Sequence, residues 1–377
     1  MSQPPSPPTF SAGVPEAGLA MAAGTRIERA RSAFLARHGS GLVLRVVRLG
    51  PLLILALLWL ALSILSPYFF TALNVTNLLQ ASSVVAILAT GQLLIVLTGA
   101  IDLSAGAVVA LATVVGAKLA QSATHSGPLV IAAMLCTGCA VGLANGLLIE
   151  KARLGSSFVV TLGMLSIATG VAYVVSDGST ITGLPPLVDD IGSRDVGGVP
   201  LCALVVLGFA VVVAVLTSRL QWGRWIYAVG GNRDAGERVG VPVRAVSISV
   251  FVLGGLAAGL AGVIQAGLTD SGTASSGFNA ELDAISAVVI GGATLTGGRG
   301  TVFGTLVGAL ILGTIHNGLN LLSVNLNWEP IVLGSVLILA IAADRVRAGF
   351  ETRLRLRETV PEDHAVLAGP PMRSSAA

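Results

Sequence analysis

Charge is scarce in this chain. Only 11% of its 377 residues are Asp, Glu, Lys or Arg, whereas 54% are hydrophobic and the mean hydropathy is +0.86. Soluble domains contain about 25% charged residues, so this composition predicts a polytopic membrane protein. Aromatic residues are also few, at 5%, which argues against a stacking platform for nucleic acid or an aromatic cofactor.

Residues for catalysis and metal binding are sparse too. Of the three cysteines, Cys136 and Cys139 form a C-x-x-C pair. They lie in an apolar stretch without a matching Cys or His pair, so we interpret them as core packing rather than as a metal site. The sequence has no G-x-x-x-x-G-K-[ST] phosphate loop, no Ser/His/Asp arrangement and no H-E-x-x-H motif. We therefore expect no catalytic residue, no metal and no cofactor in this chain.

Apolar runs dominate what is present. About 20 residues are needed for each membrane crossing, and the sequence predicts an all-α protein with ten transmembrane helices. We place them at 49–66, 76–97, 103–121, 128–149, 157–176, 199–217, 245–268, 282–297, 301–322 and 329–343. The transmembrane domain is thus 49–344, between a disordered Pro-rich and then basic segment at 1–48 and a basic, then disordered tail at 345–377.

The basic residues predict the orientation. With ten spans both termini lie on one side of the membrane, and all 22 Lys and Arg residues except Lys118 and Arg194 fall in segments on that side. The positive-inside rule makes this side the cytoplasm. An odd number of spans would destroy the asymmetry, so ten is preferred to nine or eleven.

The longest polar break in the apolar sequence is Ser218–Arg244, which carries five Arg residues. A Gly230–Gly231 turn is followed by Asn232, which we predict to be the N-cap of a short helix through Arg238. Such a helix between two spans suits the docking of a soluble partner. A solvated connector with a chance helical turn is the alternative.

An internal similarity is visible in the sequence. Ile101–Ala117 aligns without gaps with Ala293–Ala309, so that Ser104 pairs with Thr296. Duplicated halves are common in transporters and place the substrate path at the interface between the repeats. Coincidence in a sequence rich in Gly, Ala and Val is the alternative.

Polar residues inside or beside spans are candidates for the translocation path. Asp102 is the only charged residue between Arg48 and Lys118, and we predict that it caps the following helix, with a gate or pathway residue as a second interpretation. The other polar groups form either contacts between helices or a polar conduit for a neutral solute. The path and hairpin candidates are Gln92, Thr98, Asp102, Ser104, Asn145, Thr161, Gln265, Thr296, Asn317 and Asn320.

Five segments, in order, resemble the membrane-spanning permease subunit of bacterial ribose-type (simple-sugar) ABC importers. They are TGAIDLSAGAVVAL, GLANGLLIEKARLGSSFVVTLGMLSIATGVAYVVSDG, GRWIYAVGGNRDAGERVGVPV, ELDAISAVVIGGATLTGGRGTVFGTLVGALILGTIHNGLNLL and the closing apolar span. The resemblance covers about residues 70–344.

The resemblance implies a multi-pass protein of the bacterial cell (inner) membrane that imports a ribose- or xylose-like monosaccharide. Its implied partners are a cytoplasmic ATP-binding subunit, an extracytoplasmic sugar-binding protein and a second permease copy in a homodimer, surrounded by membrane lipid. No nucleic-acid partner is expected. ATP binding to the partner subunits would move the 218–244 segment and drive alternating access.

The resemblance also implies that the G-R-x-I-Y-A-x-G-G-N segment leads into the coupling helix. The matching residues are Gly223, Arg224, Tyr227, Gly230, Gly231, Asn232, Asp234, Ala235, Gly236, Glu237, Arg238 and Gly240. Gly236 departs from the small Ala-like pair usual in the family. Because Gly weakens a helix by about 1 kcal/mol relative to Ala, we expect this helix to be marginal until the ATPase binds.

Two other functions fit the sequence less well. An ABC permease for another small solute, such as a branched-chain amino acid or a nucleoside, would share the GGRGTVFGTLVGA segment, since that motif is hairpin geometry. An ion-coupled secondary transporter is disfavoured, because the spans lack a row of buried acids and bases.

Overall fold

The computed structural model describes residues 49–152, 156–328, 330–336, 338, 339 and 342. The predictions for 1–48 and 345–377 therefore lie outside the described residues. The chain divides into two compact units, Met1–Gly50 and Pro51–Ala377. Only Leu49 and Gly50 of the first unit are described, and the account below concerns the second.

Helices make up most of the described chain. They are α1 (Gly50–Leu65), α2 (Ala72–Leu97), α3 (Ala105–Ser122), α4 (Gly127–Glu150), α5 (Ser157–Ser176), α6 (Pro186–Ser193), α7 (Leu201–Arg219), α8 (Gln221–Gly231), α9 (Arg233–Arg238), α10 (Val243–Thr269), α11 (Ala280–Ile290) and α12 (Val302–Leu321), followed by a 3₁₀ turn at Leu326–Trp328. Residues 330–336 are also helical.

Among the described residues, four strands of two residues each form two small antiparallel sheets. Strand β1 (Ile181–Thr182) pairs with β4 (Ser271–Gly272), with Ile181 opposite Gly272. Strand β2 (Asp195–Val196) pairs with β3 (Val199–Pro200) across two glycines of positive φ. The first sheet ties the loop after α5 to the loop after α10.

Seven helices of the described residues are long and apolar enough to cross a membrane: α2, α3, α4, α5, α7, α10 and α12. The all-α polytopic class is confirmed, but the predicted span at 282–297 is wrong in extent, because α11 ends at Ile290. Its 11 residues rise about 16 Å, roughly half of a hydrocarbon core. Helix α1 has 16 residues, and part of the predicted span at 329–343 lies outside the described residues.

The segment before α11 explains why that helix is short. After the strand at Ser271–Gly272 the chain runs without helix along α3, in the opposite direction. A Cβ on Gly272 would collide with the carbonyl of Thr113, and one on Gly277 with the carbonyl of Gly106, 2.6 Å away. Helix α11 therefore begins beside the start of α3. Non-helical backbone at membrane depth is tolerated where protein surrounds it, as in broken transporter helices.

Burial separates a central set of helices from a peripheral one. In their most apolar stretches α2 is 83% buried and α10 is 67% buried, whereas α5 is 22% buried. Large apolar side chains project from α1, α5 and α7, as expected of faces in contact with lipid or another chain. Cys202 lies in the core, but Cys136 is exposed, so its predicted core packing is wrong. Cys136 lies on the exposed face of helix α4.

Glycines bring α4 and α10 into direct backbone contact. A Cβ on Gly138 would overlap the carbonyl of Gly255, and one on Gly255 would overlap the carbonyl of Gly138. The contact continues for one turn on either side of this pair. A Cβ on Gly142 would overlap the carbonyl of Phe251, and a Cβ on Gly259 would lie 2.8 Å from the carbonyl oxygen of Met134. Small faces of this kind let membrane helices gain dispersion contacts that larger side chains would prevent.

The two basic residues that break the predicted charge asymmetry both face acids. Lys118 at the end of α3 lies 3.8 Å from Asp177 at the end of α5, and Arg194 lies 3.4 Å from Asp190. Both pairs are exposed, so each contributes little to stability. They do neutralise the only cations on the predicted outer side, in keeping with the charge asymmetry.

The two segments of the internal similarity both sit in a helix–turn–helix unit. One links α2 to α3 through Gly99, and the other links α11 to α12 through Gly297; both glycines have positive φ. In the gapless alignment, however, Ala105, the first residue of α3, pairs with Gly297, five positions before α12 begins at Val302. The duplication stays a prediction.

We expect Gly255→Ala to lower the free energy of unfolding by about 1–3 kcal/mol, the range for overpacking a tight contact. Gly170→Ala on α5 is the matched control, because nothing lies within 4 Å of its Cβ position. Unfolding in mixed micelles measures both. Equal stabilities of the two variants would contradict the α4–α10 contact.

Candidate functional site

The predicted docking segment is a pair of short helices, α8 and α9, between α7 and α10. Asn232 separates them, and its side-chain oxygen accepts a hydrogen bond of 2.9 Å from the amide of Ala235. Both the predicted N-cap and the predicted helix end at Arg238 are confirmed. The predicted turn at Gly230–Gly231 is wrong, because both glycines are the last residues of α8. Gly240, with φ +84°, turns the chain from α9 towards α10.

The two helices differ in what they show to solvent. Helix α8 buries one face, with Gly223, Ile226 and Val229 against the core. In α9 only Gly236 is buried. The side chain of Val239, just after α9, is 80% exposed. The predicted coupling residues thus form two groups. The inner group is Gly223, Tyr227, Gly230 and Gly236, and the outer group is Arg224, Gly231, Asn232, Asp234, Ala235, Glu237, Arg238 and Gly240.

The end of α8 lies against two turns at once. The amide of Gly298, in the turn before α12, donates a 2.9 Å hydrogen bond to the carbonyl of Leu97 at the end of α2. Gly230 packs on this bond: its Cβ position overlaps the Leu97 carbonyl oxygen and lies 2.5 Å from the Gly298 nitrogen. Helix α8 therefore contacts both helix–turn–helix units through a single residue that must be glycine.

A side-chain bond strengthens this junction. The hydroxyl of Tyr227 donates to the carbonyl of Gly300 over 2.9 Å, and burial raises the pKa of the phenol, so the donor form is favoured. On the other side of the segment, the indole of Trp222 donates to Ser249 of α10 over 2.8 Å. These contacts attach α8 to α10 as well as to the turn before α12.

An ion pair that sequence reasoning missed anchors α9. One guanidinium nitrogen of Arg233 lies 2.9 and 2.6 Å from the two carboxylate oxygens of Glu150, the last residue of α4. The Glu150 side chain is 4% exposed and that of Arg233 is 50% exposed. The acid at the end of a predicted span and the basic residue after Asn232 were the only signals in the sequence, and they are far apart in the chain.

Four of the predicted path residues meet at the turn before α3. The amide and the hydroxyl of Ser104 both donate to one carboxylate oxygen of Asp102, at 2.7 and 2.6 Å. Asn145 of α4 donates to the Ser104 hydroxyl over 2.9 Å. The hydroxyl of Thr161 on α5 accepts from the amide of Leu103 over 3.1 Å. The turn is thereby held between α4 and α5.

The prediction that Asp102 is the N-cap of α3 is wrong. Ser104 occupies that position and makes no side-chain capping bond. The carboxylate of Asp102 instead closes a turn over two residues, a local geometry that competes with capping for Asp side chains. Asp102 is only 4% exposed and Ser104 is fully buried.

The remaining path candidates lie apart from this turn. Asn317 exchanges two amide hydrogen bonds, of 3.1 and 2.8 Å, with Asn74 at the start of α2, a residue that sequence reasoning missed. Thr98 donates to the carbonyl of Ile95. Gln92 is buried in α2, Gln265 is half-buried, and Thr296 and Asn320 are exposed. The structure therefore does not bring the ten candidates into one lining.

Comparisons with known proteins identify the family. Residues 74–341 match the family described as branched-chain amino acid transport system / permease component. The chain belongs to this family of bacterial ABC permeases. It is 40% identical to the ribose import permease protein of Escherichia coli strain K12 over 75% of this chain and 88% of that protein. It is 35% identical to the D-allose transport system permease protein of the same strain, over 79% and 91% of the two chains.

A third relative comes from another organism. The L-arabinose ABC transporter permease protein of Azospirillum brasilense is 36% identical over 83% of this chain and 91% of its own. No solved structure matches the chain. The predicted resemblance to ribose-type permeases is confirmed.

Membership of the family settles the general role. These permeases are the multi-pass, non-catalytic membrane subunits of bacterial ABC transporters, so ATP hydrolysis belongs to a separate subunit. The family implies an ATP-binding partner and a binding-protein partner for this ABC permease.

Gly230→Ala in this ABC permease should cost about 1–3 kcal/mol of stability, because the added methyl group would displace α8 from the Leu97–Gly298 bond. The adjacent Gly231→Ala is the control. Its Cβ position is open, so this substitution should be neutral or stabilising. Thermal unfolding in detergent compares them, and a similar loss in both variants would mean that α8 does not depend on this contact.

We expect Arg233→Ala to destabilise the permease because it leaves the buried Glu150 carboxylate unpaired. In a permease that already carries Glu150→Gln, Arg233→Ala should lower the stability less. A double-mutant cycle should therefore give a coupling energy of about 1–3 kcal/mol between the two residues. The exposed Arg194–Asp190 pair serves as the control, with coupling near zero. Strict additivity at Arg233 and Glu150 would refute the anchoring role.

Proposed function

We propose that this chain is the membrane-spanning permease subunit of an ATP-driven importer that carries a monosaccharide into the cytoplasm by alternating access. The observation that carries the proposal is the coupling segment, an exposed helix α9 attached to a helix α8 that is wedged between two turns. The relatives named for ribose, D-allose and L-arabinose support a monosaccharide as the class of solute.

In this proposal α9 is the surface on which the ATP-binding subunit docks. Its exposed residues include Asp234, Glu237 and Arg238, with the apolar Val239 beside them. A protein partner would cover Val239, and the charges would orient the contact. Although Gly236 lowers the intrinsic helix propensity, the Asn232 cap and the Arg233–Glu150 pair both stabilise this short helix.

Movement of the docked ATPase would reach both helix–turn–helix units together. Helix α8 touches the end of α2 through Gly230 and the turn before α12 through Tyr227. A displacement of α8 therefore shifts α2 and α12 in the same event, while Arg233 pulls on the end of α4. Two copies of the chain, arranged as a homodimer, would enclose the path between them.

The orientation follows from charge. We propose cytoplasmic termini, with α8, α9 and the α4–α5 connection also on the cytoplasmic side. Lys151, Arg224, Arg233 and Arg238 lie in these segments. The cations at the other end of the spans, Lys118 and Arg194, are paired with acids, which supports the same orientation.

A second solute class has a specific observation in its favour, because the matching family is described by branched-chain amino acid transport. Uptake assays with labelled solutes, in cells that express the complete transporter, distinguish the two. Uptake of ribose, allose or arabinose supports a sugar, and uptake of leucine or valine alone supports an amino acid.

Arg238→Glu should abolish uptake and the co-purification of the ATP-binding subunit, while the permease stays at its normal level in the membrane. The charge reversal places an acid where the partner meets a base. Arg194→Glu, an exposed substitution in the segment between α6 and β2, is the control and should leave co-purification intact. Uptake by purified, partner-free permease in liposomes would contradict an ABC mechanism and indicate a secondary transporter.

A further inference from the structure

One side of the broken segment before α11 is turned out of the molecule. Ser276 and Ala280 are buried, whereas Phe278 and Asn279 are exposed. The side chain of Phe278 is 83% exposed, the highest value among the large apolar side chains in the part of the chain that the structure describes. Neither Phe278 nor Asn279 was recognised from the sequence, where the two residues form no motif.

The packing of α11 against α12 gives the depth of this exposed pair in the membrane. The Cβ position of Gly291, directly after α11, overlaps the carbonyl of Gly304, and that of Gly308 overlaps the carbonyl of Ala287, so the two helices run antiparallel. The 11 residues of α11 rise about 16 Å, which places the start of α11 about halfway along α12. Because α12 is long and apolar enough to span the membrane, the exposed pair lies near the middle of a hydrocarbon core about 30 Å thick.

Asn279 has an amide side chain without a partner at this depth. It occupies the N-cap position of α11 with a φ of +62°, a left-handed conformation that Asn tolerates, and its side chain makes no capping hydrogen bond. Nor does that side chain bond to any other of the described residues. Hydrocarbon offers no hydrogen-bonding group, so an exposed amide in the middle of a membrane must face water, a polar solute or protein.

The exposed faces of α5 and α7 differ from this one. Ile167 of α5 and Val211 of α7 lie near the middles of their helices and are 59% and 53% exposed. Ser166, an exposed polar residue beside Ile167, donates its hydroxyl proton to the carbonyl of Leu162 in its own helix. Lipid can therefore cover the faces of α5 and α7, whereas it cannot satisfy the amide of the broken segment.

We infer that Phe278 and Asn279 line the translocation path and contact the sugar as it passes. The ring of Phe278 packs against the C–H face of a monosaccharide, and the amide of Asn279 exchanges hydrogen bonds with its hydroxyl groups. Apolar and aromatic surface with a few placed polar groups is the usual composition of a small-molecule site. In secondary transporters, substrate sites lie near the bilayer midplane beside broken helices. The nature of the solute rests on the proposed function; the position of the path does not.

A twofold arrangement would double this contact. In a homodimer both copies present the same surface to the axis, so a Phe278 ring and an Asn279 amide would bound the path on each of two sides. Neither side chain carries a charge, which suits a neutral solute better than the charged amino and carboxylate groups of an amino acid.

Cysteine labelling tests the position of the path without reference to the solute. The three native cysteines are replaced by alanine, and single cysteines are then introduced into the complete transporter in open membrane fragments. The probe is a positively charged methanethiosulfonate reagent. Phe278→Cys and Asn279→Cys should react about tenfold faster or more than Ile167→Cys and Val211→Cys, the matched controls, because the reagent attacks thiolates, which form in water and hardly at all in hydrocarbon.

Uptake by the complete transporter tests the contact with the solute. Asn279→Gly removes the amide but keeps the left-handed backbone, which glycine adopts freely. It should lower the maximal rate of monosaccharide uptake by about two- to tenfold, the change expected for the loss of one hydrogen bond. Phe278→Leu should lower the rate similarly, whereas Phe278→Trp keeps an aromatic face and should not. Phe303→Leu, at a 64% exposed position in the first turn of α12, is the control and should transport at the wild-type rate.

Three results would overturn the inference. Labelling of Phe278→Cys and Asn279→Cys no faster than that of the controls would place the segment against lipid. Slow labelling together with a disulfide between two copies would place it in a dry contact between subunits. Wild-type uptake in both Asn279→Gly and Phe278→Leu would mean that the pair does not touch the solute and that Asn279 serves only the backbone turn.

A failure of the proposed function gives a different pattern. If the transporter takes up no monosaccharide, and labelling at Phe278→Cys and Asn279→Cys is still fast, the position of the path is supported and the sugar contact is overturned.

Discussion

The hydrogen bond from the amide of Gly298 to the carbonyl of Leu97 joins the two turns against which the predicted coupling segment packs. It is a backbone bond in a region where two chain reversals meet, so no side chain separates them. Helix α8 reaches the same point because Gly230 has no Cβ. Helix α8 and the two turns are thus in direct backbone contact, with no layer of side chains between them.

Close backbone contacts through glycine also occur between the membrane-spanning helices. In a bilayer the hydrophobic effect does not drive helices together, so stability depends on close packing and on satisfied polar groups. The α4–α10 contact at Gly138 and Gly255 provides the first. The Asn74–Asn317 amide pair and the Asp102–Ser104–Asn145 chain of hydrogen bonds provide the second. The exposed faces of α1, α5 and α7 are left for lipid or for a partner subunit.

Local signals were predicted more accurately than contacts. Asn232 was recognised as a cap because capping depends on a side chain and an amide three residues apart. Asp102 was misread because the same short-range chemistry allows it to close a turn instead, and the sequence does not decide between the two geometries. The span at 282–297 was overextended because a run buried against other helices is as apolar as one that faces lipid.

The sequence by itself determined the class of the protein, its family, the Asn232 cap with the short helix that follows it, and the asymmetry of charge. Each of these depends on composition, on order along the chain or on contacts within a few residues. Only the tertiary structure decided that α11 is a half-length helix, that Glu150 anchors Arg233, and that a carboxylate oxygen of Glu281 packs against Gly106 of α3. These pairings join residues far apart in the chain, and they arise from how α3, α4 and the broken segment pack. No local pattern encodes that packing.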